Sequence, residues 1–329
     1  MFTKAKKLIN DYRTTKSSQT LMLVVVNFIK KWAWAIIRAL LVIGISFVIL
    51  YPIIIKISAA IMSENDIYDL TVRWIPSQPT FDNFTKAIRY INFWDALRNT
   101  VLLSTVCTAL QITVCTMASY AFAKLRFPFW KVVFVLMIFT LIVPPQTYMI
   151  GTYTQFRYFN PFGITHILFN QAGLLGTVVP FIVKAVLGQG IRCGLYVYIM
   201  TQFFRNVPTE LEEAAQVDGA GPIKTFVNIM IPNAIPALVT VCVFSFVWQW
   251  NDSFFASFFA SEMDLLIPNL GRIDKLVRLG SNNTLTTAPE LASAAKNAAA
   301  LLILLPILVL FIFSQRFFVE NLERSGIVG

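Results

Sequence analysis

The chain has 329 residues, of which 57% are hydrophobic and 13% are charged, with a mean hydropathy of +0.66. Soluble domains carry about 25% charged residues, so this composition excludes an ordinary soluble protein and predicts a polytopic membrane protein. The formal net charge of +10 would favour a nucleic-acid partner in a soluble chain, whereas in a membrane protein such an excess sets the orientation.

The N-terminal residues 1–31 are predicted to form a basic extension outside a membrane domain at 32–329. Their basic residues are Lys4, Lys6, Lys7, Arg13, Lys16, Lys30 and Lys31. Basic residues collect on the inner side of membrane proteins, which places the N-terminus in the cytoplasm. The apolar run Leu21–Val26 could belong to a signal peptide, but no cleavage site of small residues follows it, and an interfacial helix is favoured.

Six transmembrane helices are predicted from apolar runs long enough for a bilayer core of about 30 Å. The runs are Ala39–Ile55, Thr100–Ala123, a stretch from Val132 interrupted at Pro144-Pro145, 170–204, 234–258 and 298–313. With six spans the C-terminus also lies in the cytoplasm, and outer loops are expected at 63–98, 154–173 and 259–295. The membrane domain is therefore expected to be all-α and to contact membrane lipid over much of its surface.

The fourth run is too long for one span. A single helix over 170–204 would measure about 50 Å at ~1.5 Å per residue. Lys184, Gly188-Gln189-Gly190 and Arg192 interrupt its apolar character, so a break is expected near Gly188–Gly190.

A polar segment at about 205–232, here named the coupling segment, separates the fourth and fifth runs. Thr209 followed by Glu212 matches a capping box, which predicts a helix beginning at Glu210. This first helix would place Leu211, Ala214 and Ala215 on one side and leave Glu210, Glu213 and Asp218 available to a partner.

The second half of the coupling segment contains a predicted turn and another helix. Gly219 and Gly221 supply stop positions, and Gly219 is expected at the turn with a positive φ. Pro222 suits the first turn of the second helix, and Pro232 is expected to end it.

The coupling segment resembles the EAA loop of ABC importer permeases. The matching residues are Glu213, Ala214, Ala215, Gly219 and Pro232, and Asp218-Gly219-Ala220 looks like the carbohydrate-uptake branch, which includes the smaller permease subunit of the maltose transporter. Asp82-Asn83-Phe84, Trp250-Asn251-Asp252 and the stretch from Gln315 to the end resemble further family features, so the resemblance runs from about residue 35 onward.

The resemblance implies a permease subunit of an ATP-driven importer for a sugar or oligosaccharide in a bacterial or archaeal plasma membrane. Its implied partners are a second, homologous permease subunit, two ATPase subunits and an extracellular or lipid-anchored binding protein. Glu213, Ala214, Ala215, Asp218, Gly219 and Pro232 would couple this chain to the ATPase. The alternatives are an ABC permease for a non-sugar solute and a secondary transporter.

No enzyme chemistry is predicted for this chain itself. The stretch 219–225 has Ile223 where a phosphate-binding loop needs glycine, so ATP and Mg²⁺ are expected only in the partner ATPase subunits. With one histidine, His166, and four cysteines without ligand spacing, neither a metal site nor a catalytic set is expected.

The substrate pathway is predicted from polar and aromatic side chains at membrane depth, which are often functional. The candidates are Trp248, Asn251, Asp252, Gln146 and Tyr148. Trp248, Asn251 and Asp252 are expected on one helix face, at i, i+3 and i+4. The alternative is hydrogen bonding between helices, with the aromatic residues in the interfacial belt. The resemblance also implies that the loop 259–295 reaches into the binding protein.

Overall fold

The computed structural model describes residues 18–69, 71–72, 74–125, 127–160, 173–280 and 289–326, and these residues form helices and contain no strand. The prediction of an all-α fold is thus confirmed. The helices are α1 Ser18–Ala60, α2 Glu64–Tyr68, α3 Asp82–Tyr90, α4 Phe93–Lys124, α5 Trp130–Ile142, α6 Pro145–Tyr158, α7 Val179–Val186, α8 Cys193–Asn206, α9 Glu210–Val217, α10 Pro222–Asn233, α11 Ile235–Trp250, α12 Phe254–Phe259, α13 Leu266–Gly280 and α14 Pro289–Gly326.

The chain divides into two compact units, residues 1–58 and 59–329. The described part of the first unit is α1, a single helix that continues without interruption through Lys30 and Lys31 into the apolar run. A helix therefore leads from Ser18 into the first apolar run, and the interfacial position expected for its beginning stays a prediction. Residues 1–17 of the basic extension lie outside the described residues, and the boundary at residue 32 stays a prediction.

Three helices in the described residues are long and apolar enough to cross a membrane, over Val26–Ala60, Phe93–Lys124 and Glu290–Gln315. Two bent helix pairs, α5 with α6 and α10 with α11, raise this number to five if each pair makes one span. The chain is thus a membrane protein with several apolar helices, and the count of six stays a prediction.

Two of the predicted interruptions are present. The axes of α5 and α6 differ by 98° across Pro144 and Pro145. The fourth run is broken between Val186 and Cys193, where Gly188 has a φ of 69°. Glycine adopts this left-handed conformation without the steric cost that a Cβ brings, so the chain can turn there.

The central helix of the second unit is α4, which packs against α7, α8 and α11. Gln111 in its middle is fully buried and stabilises the break in the fourth run. Its Nε2 donates to the carbonyl oxygen of Ile191 at 2.5 Å, and its Oε1 accepts from the Ser245 hydroxyl on α11 at 3.0 Å. A backbone carbonyl freed by the break is thereby satisfied inside an apolar bundle.

The fifth predicted span ends earlier than expected. A continuous helix over 234–258 is wrong, because α11 ends at Trp250 and α12 begins at Phe254. The Asp252 carboxylate causes this break by accepting the backbone N–H groups of Phe255 at 3.1 Å and Ala256 at 2.9 Å. An aspartate that binds the first free N–H groups of a helix favours a new helix start there.

The stretch 259–295, which was expected to be an outer loop, contains the helix α13. Its helix α13 packs against α3, α4 and α14, with Leu266 and Ile273 fully buried. This part is therefore packed on the bundle, and its expected contact with a binding protein stays a prediction. Residues 281–288 of the same stretch lie outside the described residues.

Polar side chains fasten the start of α13 to α3 and α4. We name this group the Asp264 cluster, and it comprises Asn92, Asn99, Asp264 and Asn269. Asp264 Oδ2 accepts from Asn92 Nδ2 at 2.9 Å, and its Oδ1 accepts from Asn269 Nδ2 at 3.1 Å. Asn99 Nδ2 donates to the Asp264 carbonyl at 3.1 Å, and Asn269 Nδ2 also donates to the Ile91 carbonyl at 3.0 Å.

Candidate coupling segment and substrate pathway

The first helix of the coupling segment begins at Glu210, as predicted, but the expected cap is absent. Thr209 makes no side-chain capping hydrogen bond, and its φ and ψ of −68° and −25° are helical. Its carbonyl oxygen instead accepts the N–H groups of Glu212 and Glu213, both at 3.0 Å. The capping-box prediction was wrong because Glu212, its second member, is engaged elsewhere.

Glu212 forms an ion pair with Lys124, the last residue of α4. The Lys124 Nζ lies 2.8 Å from Glu212 Oε1 and donates to the Val207 carbonyl oxygen at 2.8 Å. The side chains of Lys124 and Glu212 are only 7% and 14% exposed. The sequence analysis assigned Glu212 only to the capping box and missed this pair, because its members lie in different predicted elements.

Gly219 lies at the turn between α9 and α10 with a φ of 79°, as predicted. The turn is closed by hydrogen bonds from the Gly219 N–H to the Gln216 carbonyl and from the Ala220 N–H to the Ala215 carbonyl. Pro222 occupies the first turn of α10, also as predicted. Pro232 lies in the last turn of this helix, which ends one residue later at Asn233, before a bend of 77° into α11.

Most of the coupling segment is exposed. Of the candidate coupling residues, Ala215 is buried, whereas Glu213, Ala214, Asp218, Gly219 and Pro232 are exposed. Leu211 and Ala214, which were expected on one side of α9 with Ala215, are both exposed. Val217 and Ile223 are also exposed, at 87% and 80%, and these four apolar residues with the exposed carboxylates of Glu213 and Asp218 are here named the coupling surface. Exposed apolar patches with a polar edge mark contacts with other proteins.

The predicted pathway residues Trp248, Asn251 and Asp252 do not share one helix face. Because α11 ends at Trp250, Asn251 is its C-cap residue, and Asp252 binds the start of α12. Trp248 is 44% exposed, and the Arg192 guanidinium lies 4.5 Å from the centre of its ring. The Asn251 amide donates to the Val247 carbonyl at 2.9 Å.

Gln146 lines an open groove of about 530 Å³ between α6 and α12. The other lining residues are Met149, Ile150, Tyr153, Phe254, Ser257, Phe258 and Ser261. Tyr148, Trp248, Asn251 and Asp252 lie outside this lining. Three aromatic rings beside amide and hydroxyl groups are typical of a small-molecule site, in which a few polar groups orient the ligand.

Lys184 on α7 is a buried cation that sequence reasoning noted only as an interruption. It is 6% exposed, and its Nζ lies 3.8 Å from the centre of the Phe255 ring and 5.2 Å from that of Phe259. A cation is attracted to aromatic faces when it is shielded from water, so this contact connects α7 to α12.

Metal ligands are not grouped in the part of the chain that the structure describes, where no set of three or more His, Cys, Asp or Glu side chains could hold an ion. The four cysteines are free thiols, and Cys107, Cys115 and Cys193 are buried among the helices.

Comparison with known proteins gives consistent matches. The family model described as "Binding-protein-dependent transport system inner membrane component" matches residues 90–324. The melibiose/raffinose/stachyose import permease protein MelC of Bacillus subtilis is 28% identical over 263 residues, covering 79% of this chain and 86% of the relative. The trehalose transport system permease protein SugB of Mycobacterium tuberculosis is 28% identical over 304 residues, covering 90% of this chain and 97% of the relative.

Two further matches extend the comparison. The sn-glycerol-3-phosphate transport system permease protein UgpE of Escherichia coli is 26% identical over 304 residues, covering 90% of this chain and 98% of the relative. A chain from the crystal structure of a bacterial ABC transporter for import of the acidic polysaccharide alginate superposes with a TM-score of 0.69 at 20% identity. That match covers 88% of this chain and 98% of the other, and it shows a shared fold.

Proposed function

Because the chain belongs to the family of inner membrane components of binding-protein-dependent transport systems, we propose that it is a permease subunit of an ATP-driven sugar or oligosaccharide importer. The observation that carries this proposal is the coupling segment. It combines a Glu-Ala-Ala helix, a glycine turn with a φ of 79° and an exposed apolar surface edged by Glu213 and Asp218.

The coupling surface supports a role for separate ATPase subunits. ATP and Mg²⁺ would be used in those subunits, since residues 219–225 lack the glycine that a phosphate-binding loop needs before its lysine. Closure of two ATPase subunits would then move the coupling segments of this chain and of a second, homologous permease. The coupling segment would face the cytoplasm together with both termini, and an extracellular binding protein would deliver the solute.

A sugar is favoured over a charged solute by the groove between α6 and α12. Its lining contains aromatic, amide and hydroxyl side chains and no charged one. Aromatic rings can cover the apolar faces of sugar rings, while amides and hydroxyls replace hydrogen bonds to water. The names of MelC and SugB agree with a sugar, whereas the name of UgpE keeps an anionic, non-sugar solute as the alternative.

Uptake by proteoliposomes tests the proposed function. The complex would be purified through a tag on this chain and supplied with its binding protein, ATP and labelled trehalose, raffinose, maltotriose or glycerol 3-phosphate. We expect ATP-dependent uptake of at least one sugar and none from liposomes that lack this chain. Uptake of glycerol 3-phosphate alone would select the alternative, and ATP-independent uptake would reject an ABC permease.

A tryptophan at Ser257 tests the groove as the substrate contact. Ser257→Trp would fill the groove and should reduce sugar uptake at least tenfold while the ATPase subunits remain bound. Thr154→Trp is the matched control, because Thr154 is exposed on α6 but does not line the groove. If complexes with Ser257→Trp lose the second permease subunit, we would instead assign the groove to a subunit interface.

A further inference from the structure

Lys124 joins three elements at one end of the bundle. Its ammonium group contacts Glu212 in the first turn of α9 and the carbonyl oxygen of Val207, which directly follows α8, both at 2.8 Å. By comparison, the ion pair between Lys296 and Asp274 has side chains that are 41% and 49% exposed. The ammonium of Lys124 therefore connects α4, α8 and the coupling segment from a buried position.

The Lys124 side chain does not place its charge in water. A lysine at the end of an apolar helix normally extends along the helix and places its charge in water. Here the side chain is 7% exposed and turns inward to a carboxylate that is itself largely buried. Removing one charge of such a pair would leave the other charge without its partner where water is largely excluded, so the contact between α9 and α4 depends on both charges.

Aromatic contacts beside Lys124 also connect the coupling segment to α4. Tyr120, one helical turn earlier on α4, lies 4.8 Å from Phe226 on α10 and 6.0 Å from Phe204 on α8, measured between ring centres. Both helices of the coupling segment therefore meet the last turns of α4. Apart from Ala215, residues 213–219 are exposed, so this part of the segment has few other buried contacts with the bundle.

We propose that Lys124 is a positioning residue that carries movement of the coupling segment into α4. When the coupling surface is displaced by a partner, the buried ion pair would pull the end of α4 along with α9. α4 packs against α7, α8 and α11, and its Leu103 shares a buried cluster with Met149 of the groove, so its displacement would reach the groove and the broken helices. This inference rests on the proposed function and names the residue through which coupling passes.

The test measures sugar uptake and ATP hydrolysis together in proteoliposomes that contain the complete complex. Lys124→Met keeps the length and apolar stem of the side chain but removes its charge. We expect ATPase subunits to remain bound and to hydrolyse ATP, while the number of sugar molecules transported per ATP falls about tenfold. Lys131→Met is the matched control, because Lys131 is an exposed lysine at the start of α5, and its ratio should equal that of the wild type.

Exchanging the charges of Lys124 and Glu212 distinguishes loss of the ion pair from a folding defect. Lys124→Glu alone should fail as Lys124→Met does, and Lys124→Glu combined with Glu212→Lys should recover much of the uptake per ATP. Glu212→Gln gives a second variant of unchanged size that should lower the same ratio. An unchanged ratio in Lys124→Met, or uptake and hydrolysis that fall in proportion, would overturn the proposal. Failure of the proposed function would be seen separately, as absence of ATP-dependent uptake by the wild-type complex.

Discussion

The Asp264 cluster and the coupling segment are both polar regions at helix ends, but they satisfy their polar groups differently. In the Asp264 cluster, both carboxylate oxygens of Asp264 accept amide N–H groups of the same chain. In the coupling segment, Glu213 and Asp218 are exposed beside Val217 and Ile223. The first region is completed by its own chain, whereas the second presents charged and apolar groups outward.

This difference separates residues that hold the fold from residues that meet a partner. A buried polar group without a hydrogen-bond partner costs free energy, so a variant in a self-satisfied region should lower stability. A variant on an exposed surface changes few internal contacts, so its effect should appear in assembly or transport instead. The following predictions are ordered by their expected effect on stability.

The largest effect is expected from Gln111→Leu. This variant leaves the Ile191 carbonyl and the Ser245 hydroxyl without their partner inside the bundle, which should cost about 2 kcal/mol of unfolding free energy. Denaturant unfolding in detergent micelles measures the difference. Thr113→Val on the same helix is the control, because the Thr113 hydroxyl is exposed and donates to its own helix at Ala109. Equal unfolding midpoints for the two variants would mean that Gln111 does not stabilise the break between α7 and α8.

A smaller loss is expected from Asp264→Ala. Removal of the carboxylate takes away one acceptor each from Asn92 and Asn269, which should cost about 1.5 kcal/mol and loosen α13 from α3 and α4. Asp274→Ala on α13 removes a half-exposed ion pair with Lys296 and should cost about 0.5 kcal/mol. Hydrogen exchange of the α13 amides should rise only in Asp264→Ala. A rise of the same size in both variants would contradict the distinction.

Local sequence signals predicted the parts of the fold that depend on near neighbours. Pro144-Pro145, the glycines at 188 and 190 and Gly219 each change the backbone where they stand, and the structure breaks or turns at all three places. The start of α9 at Glu210 was predicted correctly, but its cap was not, because Glu212 binds Lys124 from another helix.

The sequence contains signals for two structural features that our predictions did not use. Asp252, two residues before Phe254, is a residue type that favours a helix start, and it marks the end of the fifth span. Leu266, Leu270 and Ile273 follow helical spacing, which indicates that α13 packs against the bundle. The groove could not be predicted in this way, because Gln146 and Ser257 are brought together only by the breaks before α6 and α12.

In the coupling segment, Gly219→Leu should affect transport more than stability. The φ of 79° disfavours leucine and should cost about 1 kcal/mol, although no atom lies within 4 Å of the added Cβ. We expect the protein to insert and assemble while stimulation of ATP hydrolysis by the binding protein is lost. Gly219→Asn is the control, since asparagine tolerates this conformation, and it should retain most of the stimulation. Normal stimulation in Gly219→Leu would remove this turn from the coupling mechanism.

The smallest effect is expected from Asp66 in the short helix α2. The backbone N–H of Gln78 donates to its Oδ2 at 3.0 Å, which holds the pKa of this carboxyl below its ordinary value of 3.8. Because the folded-state pKa is the lower one, the stabilisation is complete above about pH 4 and is lost as the pH falls below that value. The difference in melting temperature between wild type and Asp66→Asn should therefore be constant from pH 7 to 5 and shrink toward pH 3. Glu64→Gln, at an exposed carboxylate of the same helix, serves as the control. A difference that stays unchanged down to pH 3 would show that the charge of Asp66 contributes nothing to its bond with Gln78.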